Sequence, residues 1–115
     1  MTTDPAKIWT EAKARAQLAA QEQNERLGPK ESRGFDCGFA WITIKPARGA
    51  MVNYLKSIGV GRTGDYGSGN GYSLWYSKVH DVNTQSLSVH QAAIAEVERV
   101  FKDNGIECRT GSRLD

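Results

Sequence analysis

The chain has 115 residues and a formal net charge of +2, with 15 Lys and Arg against 13 Asp and Glu. This length supports one domain with a modest core, and the charge balance excludes both a strongly basic duplex-DNA binder and an acidic DNA mimic. The sequence shows no signal-peptide pattern at its start and no run of about 18 apolar residues, so we expect a cytoplasmic protein without a membrane partner.

The first predicted element is a helix from Asp4 to about Leu27. Asp4 followed by Pro5 is typical of an N-cap and a first helical position, and Gly28-Pro29 ends the helical pattern. A thin apolar stripe, made mostly of alanine and with Trp9 at its edge, runs along the helix: Ile8, Ala12, Ala16, Ala19 and Ala20. We therefore divide the chain into a helical extension (1–27), a linker (28–34) and a compact domain (35–115).

The compact domain has the alternating and helical periodicities of a β-α-β-β-α-β unit. Helices are predicted near 48–58 and at 86–103, the second with Ser88 and Gln91 at capping-box spacing. Strands are predicted at 37–45, 60–66, 72–79 and 106–110, the middle two joined by a hairpin loop at 67–70. This order predicts an α+β, ferredoxin-like fold: a four-stranded antiparallel sheet with the first and third strands at its centre, both helices on one face, and the N-terminal helix added.

The first strand carries large rings on one side only. Ala40, Ile42 and Ile44 suit the face under the helices, which leaves Phe39 and Trp41 on the opposite face. The same alternation turns Trp75 outward on the third strand, next to Trp41. Such rings can stack nucleobases, although the third strand does not match the RNP1 pattern of RNA-recognition domains. The alternative is that the N-terminal helix or a second copy of the chain covers them.

Cationic and glycine-rich segments near the predicted sheet suggest how a ligand could be held. Lys45 and Arg48 lie where a strand leads into a helix, a position that favours phosphate binding, although an ordinary loop is the alternative. The glycine-rich segment 59–71 lacks the features of a nucleotide-binding motif but suits a binding loop. The predicted ligand-binding residues are Phe39, Trp41, Lys45, Arg48, Arg62, Tyr66 and Trp75.

The sequence offers no recognisable catalytic arrangement. His80 precedes Asp81 at the end of a strand, and His90 falls on the apolar side of a helix. No nucleophile has a spacing from them that indicates a catalytic triad. Cys37 and Cys108 lack CxxC spacing, and we expect both to remain free thiols. We therefore predict a non-enzymatic protein without catalytic residues, metal or cofactor.

The segments CGFAW, IKPA and GSRLD together resemble small proteins encoded by bacteriophages and prophages, over roughly residues 35 to 115. The terminal GSRLD by itself is interpreted as a solvated tail. The resemblance implies phage origin, action in the host cytoplasm, and an accessory protein that binds a host component. A nucleic acid or nucleotide is the first candidate ligand, and inhibition of a host enzyme or defence complex is the alternative. Association of copies through the N-terminal helix is also left open.

Overall fold

Three α-helices and four strands make up the computed structural model, which describes residues 4–28, 37–64 and 70–114. A single 3-10 turn, Tyr76–Lys78, follows the third strand. In chain order the elements are α1 (Pro5–Leu27), β1 (Gly38–Ile44), α2 (Ala50–Ser57), β2 (Arg62–Thr63), β3 (Tyr72–Trp75), α3 (Leu87–Asp103) and β4 (Cys108–Leu114). The predicted linker lies, beyond Gly28, outside the described residues, so the division of the chain stays a prediction.

The limits of α1 follow from its terminal residues, as predicted. The Asp4 carboxylate accepts a hydrogen bond from the Ala6 backbone N–H at 3.0 Å, and Pro5 occupies the first helical turn. Gly28 ends the helix with φ 75°, a conformation that favours glycine. No helix in the described ranges is long and apolar enough to cross a membrane.

The four strands form one antiparallel sheet in the order β2-β3-β1-β4. The first and third strands are therefore the central pair, as expected from the sequence. The mixed helix and sheet content confirms the α+β class. Ala40, Ile42 and Ile44 of β1 and Leu74 of β3 are at most 3% exposed and belong to one core with the buried faces of the helices.

Three strand predictions are wrong in length. Of the strand predicted at 60–66, the described residues 60–64 include only the two strand residues of β2, because Gly61 (φ 89°) and Gly64 (φ 108°) leave the extended region on either side. Residues 65 and 66 lie outside the described residues. Predicted strand 72–79 ends at Trp75, where the 3-10 turn begins. The last strand, predicted at 106–110, runs from Cys108 to Leu114, so the solvated-tail interpretation of GSRLD is also wrong: 111–114 pair with 38–41 of β1.

Helix α1 packs on the helix side of the sheet, antiparallel along α3. Its Trp9, predicted at the edge of the stripe, is only 3% exposed, and its ring centroid lies 6.5 Å from that of Phe101 in α3. Farther along, the Gln23 amide lies 3.4 Å from the Ser88 hydroxyl near the start of α3. Alanines at 12, 16 and 20 are fully buried and allow this close approach. The alternative that α1 covers the rings of β1 is therefore wrong.

The start of α3 differs from the predicted capping box. Ser86 is the N-cap, and its carbonyl accepts from the His90 backbone N–H at 3.2 Å. The Gln91 amide, instead of reaching back to the helix start, donates to the Ser112 hydroxyl of β4 at 2.9 Å. This side chain therefore ties α3 to β4.

Both cysteines are free, as predicted. Cys37 lies opposite Ser86 next to the start of β1, whereas Cys108 pairs with Ile44 at the end of that strand. The two cysteines thus lie near opposite ends of β1, about 23 Å apart along a strand that rises roughly 3.3 Å per residue.

Candidate functional site

The side of the sheet opposite the helices, here called the outer face, carries the rings of β1 and β3. Phe39 and Trp41 alternate with the buried Ala40 and Ile42, and both rings are half-buried. Trp75 lies directly opposite Trp41 in the register of the two strands. Since directly paired residues share a face, the three rings form one group, called the aromatic cluster.

The three rings of the aromatic cluster are in close contact. The indoles of Trp41 and Trp75 are parallel to within 2°, with centroids 5.9 Å apart. Phe39 lies 5.3 Å from Trp75, at an angle of 33°. The prediction that the two tryptophans are neighbours is confirmed. Two parallel indoles present their faces in the same direction, an arrangement suited to planar, aromatic groups of a ligand.

Gly111 of β4 determines how Trp41 lies. A Cβ at position 111 would stand 2.5 to 2.6 Å from Cε2, Cζ2 and Nε1 of the indole, closer than any real side chain permits. The indole therefore lies over the Gly111 backbone, and it stacks with the parallel Trp75 ring at a centroid distance of 5.9 Å. The strand predicted at 106–110 stops short of Gly111, so this role of Gly111 is not predicted from the sequence.

Every charged residue within the four described strands is an arginine on the outer face. Arg62 of β2 pairs with Ser73, Arg109 of β4 with Thr43, and Arg113 of β4 with Phe39. The Arg113 guanidinium carbon lies 5.7 Å from the Phe39 ring centroid, within cation-π range. Positive charge thus surrounds the aromatic cluster on the face where a ligand would lie.

Of these arginines, only Arg62 is among the ligand-binding residues predicted from the sequence. Arg109 falls in the strand predicted at 106–110 and Arg113 in the segment interpreted as a tail, so the sequence prediction gives them no common face. The signal was present, since Arg109, Gly111 and Arg113 recur with the period of two residues that places side chains on one face of a strand.

Lys45 and Arg48, the other predicted cations, lie beyond the end of β1. Both line a pocket of about 470 Å³ whose walls include Ile8, Ile44 and Met51. Lys45 is four residues from Trp41, about 13 Å along an extended strand. The structure therefore brings these two cations together with each other but separates them from the aromatic cluster. Tyr66 lies outside the described residues.

Polar side chains fill the centre of the outer face. The hydroxyls of Thr43 and Ser73 lie 3.0 Å apart, and Ser73 also donates to the Gly64 carbonyl. Both side chains are at most 1% exposed although they lie opposite the main core. Their hydrogen bonds hold β1, β3 and the end of β2 in a defined arrangement beside the rings.

The two histidines form a buried pair. His80 Nε2 lies 2.9 Å from His90 Nδ1, and the Tyr76 ring stacks on His90 with centroids 3.6 Å apart. Burial lowers the pKa of His80, although the Asp81 carboxylate works in the opposite direction. Both residues are at most 6% exposed.

Within the described part of the chain, no three His, Cys, Asp or Glu residues gather in a way that could hold a metal ion. No family model, curated protein or solved structure matches the chain.

Proposed function

We propose that this protein is a non-enzymatic binding protein that takes a nucleic acid or nucleotide on the outer face of its sheet. The observation that carries the proposal is the parallel pair Trp41 and Trp75, on a face where all charged strand residues are arginines. Stacking of a base on an aromatic side chain contributes about 1 to 3 kcal/mol, and arginine supplies charge for phosphate.

Anisotropy of a fluorescently labelled single-stranded nucleic acid tests this proposal. Replacing Trp41 or Trp75 by Ala should weaken binding by about 1 to 3 kcal/mol each, whereas Leu18→Ala, on the exposed side of α1, should change nothing. Affinity of the unmodified protein should fall steeply as salt is raised, because phosphate contacts release counterions. Equal binding by all three variants would contradict the proposal.

The fold itself belongs to the same proposal: we infer a ferredoxin-like arrangement. The central position of β1 and β3, the antiparallel pairing of all neighbours and the β-α-β-β-α-β order support it. An experimental structure with right-handed β1-α2-β2 and β3-α3-β4 crossovers would bear it out, and a left-handed crossover would contradict it.

Inhibition of a host protein is the second candidate. Tryptophan and arginine are enriched at the hot spots of protein interfaces, and the outer face carries both: Arg113 lies over the Phe39 ring, which in turn lies 5.3 Å from Trp75. The resemblance to phage-encoded proteins supports a target in the host cell. Affinity capture from a bacterial lysate, with and without nuclease, separates the candidates, because a specific protein that survives nuclease favours the inhibitor.

A further inference from the structure

The outer-face side chains form rows that cross the strands. Trp75, Trp41 and Gly111 make up one row, here called the indole row, because Trp41 pairs with Trp75 on one side and with Gly111 on the other. A neighbouring row, called the arginine row, lies two residues away along each strand, roughly 7 Å. By register the arginine row consists of Arg62, Ser73, Thr43 and Arg109.

The indole row favours unpaired bases. Trp41 lies over Gly111, and Trp75 is parallel to it, so both rings can accept a planar group from the same side. In a duplex each base is already stacked between its neighbours and its faces are inaccessible. Single strands, whose bases can separate, are the form that stacks on protein rings.

The arginine row favours a ligand with more than one phosphate. Arg62 stands on the β2 edge and Arg109 on the β4 edge, three strand spacings or about 14 Å apart. Between them, Thr43 and Ser73 are hydrogen-bonded to each other and at most 1% exposed, so a ligand contacts this row at its two arginine ends. A mononucleotide on one indole reaches one end of this row, whereas a strand that crosses the sheet passes both ends.

We infer that the ligand is a single-stranded oligonucleotide whose backbone crosses the β-strands along the arginine row, with consecutive bases on Trp75 and Trp41. The inference rests on the proposed function and specifies its ligand. In this arrangement the indole row contacts two bases of the ligand, and the adjacent arginine row contacts the phosphates of the same strand. Ribose and deoxyribose strands share this chemistry.

Fluorescence titrations of the full chain test the inference with four probes. These are thymidine monophosphate, a single strand of about six thymidines, the corresponding uridine strand, and a DNA duplex. Both single strands should bind at least about fivefold more tightly than the monophosphate, since a second stacked base adds roughly 5- to 140-fold. The duplex should bind more weakly than the single strands, and the stronger of the two strands identifies the nucleic acid.

Arginine variants test the path of the backbone. Arg62→Ala and Arg109→Ala should each lower the slope of log affinity against log salt by about 0.7, the value for one phosphate contact in a single strand. Arg99→Ala removes an exposed arginine of α3, paired with Glu96 at 3.3 Å, and should leave the slope unchanged. Gly111→Ala should weaken single-strand binding at least several-fold by displacing the Trp41 ring.

The failures of the inference and of the proposed function are distinguishable. Equal affinity for the monophosphate and the single strands, or for the duplex, would overturn the inference but leave nucleotide binding in place. Strand binding with an unchanged salt slope in both Arg62→Ala and Arg109→Ala would overturn the path across the sheet. Absence of binding to all four probes would overturn the inference and the proposed function together.

Discussion

His80 Nε2 donates a hydrogen bond to His90 Nδ1 across 2.9 Å. The direction follows from the other ring nitrogen, because the Val82 backbone N–H points at His80 Nδ1 from 3.1 Å and requires an acceptor there. His80 therefore carries its proton on Nε2, and Nδ1 of His90 accepts the hydrogen bond. The arrangement requires a neutral His80, consistent with the lowering of its pKa by burial.

This pair predicts that acid destabilises the protein below about pH 6.5. Because the pKa of folded His80 is lowered, the unfolded chain takes up the proton first as pH falls. The contribution of His80 to stability is therefore fully present above the pKa of His80 in the unfolded chain, and it is lost as pH falls toward the pKa of His80 in the folded protein. The unfolding free energy falls by at most about 1.4 kcal/mol per pH unit for one proton. Urea unfolding at several pH values between 7.5 and 5 measures this loss of unfolding free energy, because that interval is roughly centred on the usual histidine pKa.

The matched variant for this test is His80→Gln, whose amide retains a donor toward His90 but does not titrate. Its unfolding free energy should fall less than that of the unmodified protein over the same interval. An equal fall would assign the pH dependence to other groups.

The two tryptophans Trp9 and Trp41 should differ in their effect on stability. Trp9 is 3% exposed and packs between α1 and α3, so Trp9→Ala should cost about 3 to 5 kcal/mol of unfolding free energy. Trp41 lies half-buried on the outer face, and Trp41→Ala should cost clearly less. Urea unfolding of both variants checks this, and an equally large loss for Trp41→Ala would mean that the outer rings are structural.

Removal of residues 111–115 tests the revised end of the sheet. A solvated tail could be lost without effect, but Gly111–Leu114 pair with Gly38–Trp41. Truncation after Thr110 should lower the unfolding free energy by at least about 2 kcal/mol, because about four ladder hydrogen bonds contribute roughly 0.5 to 1.5 kcal/mol each. Denaturant unfolding of the truncated and full chains measures it, and unchanged stability would contradict the pairing.

The Cys108 thiol should resist alkylation at neutral pH. Burial raises its pKa to about 11, with Glu98 adding to the rise and Lys102 opposing it. The reactive thiolate is therefore scarce near pH 8. In the Cys37→Ser variant, which leaves a single thiol, iodoacetamide labelling followed by mass spectrometry should be slow when the protein is folded and fast in urea. Equal rates would show that the thiol is accessible and unperturbed.

Local patterns in the sequence were sufficient to predict the central strands and the two main helices of the domain. The alternation Phe39, Ala40, Trp41, Ile42 indicates a two-faced strand, and its pairing with Trp75 follows from the element order. These features depend on near neighbours in the chain and on general rules of connection.

The last strand could not be predicted because its pairing is decided by the rest of the fold. Gly111 and Ser112 have low strand propensity, yet they extend β4 because β1 offers a ladder as far as Gly38. The placement of Trp41 over Gly111 and the position of Arg113 beside Phe39 depend on that register.

The packing of α1 against α3 separates the side chains that stabilise the protein from those that would contact a ligand. The core is built between helices and the inner side of the sheet, whereas Phe39, Trp41 and Arg113 lie on the other side. Laboratory evolution could therefore randomise these outer positions and select new binding specificities while the same scaffold continues to fold.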